Sequence, residues 1–86
     1  MSETRDALKR AFDTAFGEYL DTMHARKMAL EAAMRSASTE VHQAYAAASE
    51  EEQRKRVVYL DAARAMHEAA VRAIALSERT LTTATT

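Results

Sequence analysis

The sequence has no cysteine, no proline, no tryptophan and a single glycine, Gly17. Without cysteine, a disulfide-stapled scaffold and thiol chemistry are both excluded. A chain of 86 residues buries only a modest core, so a metal or association is left to supplement it. With no proline and one glycine, almost nothing interrupts a helix. No apolar run approaches the roughly 18 residues that mark a membrane span. Charge of one sign is missing as well: 12 basic and 13 acidic residues leave a net charge of −1, which gives no long-range attraction for nucleic acid or acidic lipid. A lone glycine cannot cradle a phosphate, and no serine or histidine sits in a nucleophile signature. No enzyme, cofactor or metal is expected. The first residues, Met1-Ser2-Glu3-Thr4-Arg5-Asp6, carry both signs of charge and no apolar stretch, so a cleaved signal is not expected. A cytoplasmic location is the default expectation, with signal-less secretion left open.

What is present is helix-forming. Twenty residues are alanine, and Leu, Met, Glu, Arg and Lys supply much of the rest, while β-branched residues are few before the terminal threonines. The composition predicts an all-α chain and one helical domain over 1–86, with a frayed threonine-rich tail at 82–86.

The clearest pattern is a spacing of eleven. Leu8, Tyr19, Leu30 and Val41 are eleven apart, and so are Phe12, Met23, Met34 and Tyr45. Each pair is separated by four, so each stacks on one helical face. Eleven residues in three turns is about 3.67 per turn, the hendecad spacing of a nearly straight helix. The pattern keeps its phase through Ser36-Ala37-Ser38-Thr39, residues that resemble a turn by composition, and so predicts a first helix over 3–47. Arg26 and Lys27 interrupt the stripe. The expectation is that their stems cover apolar surface while their charges reach water; the alternative is a buried ion pair or ligand contact that fixes register.

Ser49-Glu50-Glu51-Glu52 reads as a capping box followed by Glu/Arg, Glu/Lys and Glu/Arg pairs four apart, which starts a second helix over 50–81 and puts the turn at 47–49. Folding back there pairs residues whose numbers sum to about 97, setting Met34 against Ala63, Leu30 against His67 and Met23 against Ile74. The first helix then outlasts the second, and Leu8, Phe12 and Phe16 lack partners. The second helix carries two stripes. Leu60, Ala63, His67, Ala70, Val71, Ile74 and Leu81 are expected to face the first helix. Val58, Ala62, Ala65, Ala69 and Leu76 are expected to face a second chain, since a helix apolar on two sides is usually covered on both. The expected product is a long antiparallel helical hairpin dimerising into a four-helix bundle. Its expected interface residues are Leu8, Phe12, Phe16, Tyr19, Met23, Leu30, Met34, Val58, Ala62, Ala65, Ala69 and Leu76.

The histidines are read as structural or solvated: His67 within the stripe, His24 and His42 on a flank. The alternative for His67 is a ligand or pH-switch role. Asp21-Thr22-Met23-His24 is a single, shortened match to the carboxylate–histidine motif of di-metal bundles and does not share the main stripe. The layout resembles the small secreted helical hairpins that turn at Trp-x-Gly, and in size the type III secretion needle subunits and hairpin co-chaperones. There is no Trp, the expected turn reads Ala46-Ala47-Ala48-Ser49, and the proline of the needle turn is missing, so no family motif is matched. The composition therefore points to a non-enzymatic protein–protein interaction or self-assembly module. A small component of a bacterial secretion system is the alternative.

Overall fold

A computed structural model of the chain describes residues 2–85, and the side chains of 4–80. Two helices account for nearly all of it: α1, Ser2–Arg35, and α2, Thr39–Thr85, joined by three residues. The all-α hairpin is as expected; its turn is not. The chain reverses at Ser36-Ala37-Ser38, about ten residues before the capping box at Ser49. No described residue has a positive φ and no peptide bond is cis.

The reversal has a local cause. Serine and threonine hydroxyls compete with the backbone for hydrogen bonds and favour turns over helix interiors. Here the Ser38 N–H donates to Ser36 Oγ at 3.1 Å. The Ser38 carbonyl accepts the first bond of α2, from the His42 N–H at 3.2 Å. His42, expected to be merely solvated, has its Nε2 3.1 Å from the Ser36 carbonyl oxygen, where an Nε2–H tautomer caps the end of α1. Arg35 in the last turn of α1 and Glu40 in the first turn of α2 each complement the local helix dipole. Ala46-Ala47-Ala48, in contrast, are the strongest helix formers there are, and the helix runs straight through them.

The correction to the turn resets every pairing. Phe12 meets Tyr59, Glu18 meets Lys55 and Arg26 meets Glu52, pairs whose numbers add to 71, 73 and 78 rather than 97. It is now α2 that outlasts α1, and Val71 to Thr80 are all exposed. The molecule measures 73 × 19 × 14 Å with a radius of gyration of 20.3 Å, against about 12 Å for a compact domain of this length. The helix expected to end at 81 runs on to Thr85, and the side chains of 81–86, Leu81 included, lie outside the described residues.

The seam between the helices steps by four and three residues. In α1 it runs through Leu8, Phe12, Ala15, Tyr19, Thr22, Arg26, Ala29 and Ala33; in α2 through Val41, Tyr45, Ala48, Glu52, Lys55, Tyr59, Ala62, Met66 and Ala69, all buried or half-buried. This seven-residue rhythm is that of helices packed nearly antiparallel. It replaces the eleven-residue stripe: Met23 and Met34, counted on that stripe, point outward, Met34 with 78% of its surface exposed. The spacing of eleven had stepped between two faces of α1, from Phe12 and Tyr19 on the seam to Met23, Leu30 and Met34 one residue round. From there it reached the α2 seam at Val41 and Tyr45.

Candidate interaction surface

Two features organise the seam. The first is an aromatic cluster built on Tyr59. Its ring centroid lies 5.6 Å from Phe12, 5.3 Å from Phe16 and 5.4 Å from Tyr19, and Phe12 and Phe16 stack on each other at 5.9 Å. Such tilted and offset contacts add to the plain area effect. The aromatic end of α1, expected to lack partners, is therefore partnered within the chain. The earlier turn brings Tyr59 opposite it.

The second is an ion-pair cluster. Glu52 is 8% exposed and accepts a hydrogen bond from the Arg26 guanidinium. This is the register-fixing pair set aside as the lesser reading for Arg26, whereas Lys27 points to water. The Glu52 hydrogen bond holds the Arg26 guanidinium above its ordinary value, with a smaller contribution from Tyr45. Lys55 bridges to Glu18 at 3.4 Å. Glu51 binds Arg54 instead of Lys55, the Arg54 Nε donating at 3.0 Å. That bond holds Glu51 below its ordinary 4.5, so what it contributes is present at neutral pH and lost as pH falls through the lowered value. The acidic run that signals a helix start in the sequence thus supplies cross-helix and local pairs from the middle of α2. Thr22, also in the seam, satisfies its hydroxyl locally by donating to the Tyr19 carbonyl at 2.7 Å.

These contacts leave little apolar burial. Ala15, at 5%, and Ala33 are the buried apolar residues among those described, and no large side chain is fully buried. Eleven large apolar side chains are exposed: Phe16, Leu20, Met23, Met28, Met34, Val57, Val58, Leu60, Val71, Ile74 and Leu76. Four of these, with one half-buried neighbour, form a line. Phe16, Leu20, Met23 and Met34, with half-buried Leu30 between the last two, each follow a seam residue of α1 by one position. They make a second stripe rotated about 100° from the seam.

Comparison of the chain with protein-family models, curated proteins and solved structures gives no match. The surface must be read from its own chemistry.

The two stripes of α2 are not placed as expected within the hairpin. Ala62 and Ala69, expected to meet a second chain, lie in the intramolecular seam with Ala65 beside them, while Leu60, His67, Ala70 and Ile74, expected to face the first helix, are exposed. Val58 and Leu76 are exposed as well. Of the remaining expected interface residues, Leu8, Phe12 and Tyr19 are half-buried in the hairpin, and Phe16, Met23 and Met34 are on its surface. Stepping one residue along each of two facing antiparallel helices turns both toward the same side, so the outer stripes of α1 and α2 share one face of the hairpin. The α1 part, 16–34, covers the half near the turn. The α2 part, Leu60 to Ile74, covers the open half.

No group of three or more His, Cys, Asp or Glu able to hold a metal occurs among the described residues, and Asp21 and His24 both point to solvent. Among those residues no helix is long and apolar enough to cross a membrane.

Proposed function

We propose that this chain is a non-enzymatic helical interaction and self-assembly module, whose core is completed when the hairpin packs on another helical surface, most simply a second copy in a four-helix bundle. The observation that carries this reading is the imbalance just described. Alanine fills the buried apolar positions while eleven large apolar side chains remain exposed. A two-helix hairpin has one seam, and two alanines and a half-exposed aromatic cluster do not supply the burial an independent domain needs. Exposed apolar groups singly placed are ordinary, but a continuous line of them marks a contact surface.

The reading is tested by melting the protein at several concentrations. Association stabilises the folded chain by mass action, so the melting temperature should rise by several degrees between about 1 and about 100 µM. A melting temperature that stays constant over this range, with a cooperative transition, would count against it.

A further inference from the structure

We infer that α1 packs against α1 of a second copy, antiparallel, through Phe16, Leu20, Met23, Leu30 and Met34, with the twofold axis near residue 25. This rests on the self-assembly reading and specifies its surface and register.

Area sets the scale. The hairpin exposes 6821 Å², whereas a compact chain of its mass exposes about 5,100 Å². A standard stable interface takes about 800 Å² from each partner, so one such contact removes roughly half of the excess.

The stripe is its own complement when reversed. Residues whose numbers sum to about 50 then face each other, which sets Phe16 against Met34 of the second copy, Leu20 against Leu30, and Met23 against the stem of Lys27. Each large rigid group meets a flexible or branched one, and the single charge lies at the axis, where its stem covers apolar surface and its head reaches the rim. A parallel pairing would set the two Lys27 stems directly opposite each other, whereas the antiparallel one offsets them by about 6 Å along the axis.

Charge agrees with the same register. Arg35 makes no ion pair among the described residues, and Asp13 is held only by an exposed contact to Lys9 at 3.3 Å. Both lie on the flank of α1 away from α2. In the antiparallel register Asp13 of one copy reaches Arg35 of the other, twice by symmetry.

Gly17 is the third observation. A glycine inside a helix costs about 1 kcal/mol relative to alanine, and a Cβ at Gly17 would meet nothing within 4 Å. Nothing in the hairpin asks for a glycine. In the antiparallel pair Gly17 lies on the same flank opposite Glu31 of the second copy, where a missing side chain lets the helices approach.

The absence of cysteine makes the register directly readable by cross-linking. Leu20→Cys and Leu30→Cys variants are prepared separately, checked for unchanged helicity, and oxidised alone and as an equimolar mixture. Antiparallel packing brings Cys at 20 opposite Cys at 30, while two copies of either alone sit about 15 Å apart along the axis, beyond the reach of a disulfide. The mixture should therefore cross-link at least about tenfold faster than either variant by itself. Phe16→Cys mixed with Met34→Cys repeats the test at the ends of the stripe, where like copies sit about 27 Å apart along the axis, should either leucine variant lose helix content. Efficient cross-linking of Leu20→Cys alone would overturn the antiparallel register. A protein that sediments as a dimer but cross-links in no combination would place the contact on another face and overturn this inference alone. A monomer would overturn the self-assembly reading with it.

Discussion

Tyr59→Ala is expected to destabilise the protein by about 2–3 kcal/mol, the largest effect of any single truncation. Full burial of an aromatic ring makes such a change cost about 3–5 kcal/mol, and Tyr59 is half-buried, which sets the lower figure. The ring touches Phe12, Phe16 and Tyr19 at centroid distances of 5.3 to 5.6 Å, so its loss opens the aromatic cluster that joins the two helices. At one protein concentration the melting temperature should fall by roughly 10–20 °C. Tyr59→Phe keeps the ring and should stay within about 0.5 kcal/mol of the wild type. Equal losses for the two variants would mean that the hydroxyl, and not ring packing, holds the helices together.

Ala15→Asp should be comparably severe, while Met34→Asp should spare the hairpin itself and weaken only its pairing with a second copy. Ala15 is 5% exposed and sits between Phe12 and Tyr19 along the seam. A carboxylate there is desolvated with no cation placed for it, which costs about 3 kcal/mol or more. Met34 is 78% exposed, so an aspartate at that position keeps its water and should change hairpin stability by less than about 0.5 kcal/mol. Far-ultraviolet circular dichroism at about 1 µM, where pairing contributes least, separates the two. The eleven-residue stripe read from the sequence puts Met34 in the main seam, where an aspartate would unfold the hairpin, so the Met34 variant decides between the two rhythms.

The helical class was legible because nothing in the composition opposes it: twenty alanines, one glycine and no proline leave no other regular structure. The hairpin was legible too, but its bend was misplaced by a conflict between two signals. Ser36-Ala37-Ser38-Thr39 has the residues of a turn, whereas the apolar spacing runs across it in phase. Periodicity prevailed in the sequence reading, and in the structure the hydroxyl-bearing residues prevail. The spacing of eleven survives the bend only because the outer stripe of α1, at Leu30 and Met34, is in phase with the seam of α2 at Val41 and Tyr45. Two stripes one residue apart cannot be told from a single broader one by spacing alone.

The acidic run misled for a related reason. Ser49-Glu50-Glu51-Glu52 satisfies the pattern of a capping box, but a cap needs a break before it, and three alanines provide none. Glu52 instead reaches across to Arg26. The signal that could have exposed this was the pair Arg26 and Glu52 itself. Once the bend is put at 36–38 they face each other, and the charge that interrupts the α1 stripe gains a reason. The aromatic cluster was hidden by the same displacement, because Tyr59 was assigned to the flank of a helix paired with residues near 38 rather than with Phe12, Phe16 and Tyr19.

Burial within one chain is incomplete, and sedimentation equilibrium tests the association this calls for most directly. Between about 1 and about 100 µM the weight-average mass should rise from near the 9.6 kDa of one chain toward twice that value. A mass that remains at 9.6 kDa throughout, in a protein that still unfolds cooperatively, would contradict it.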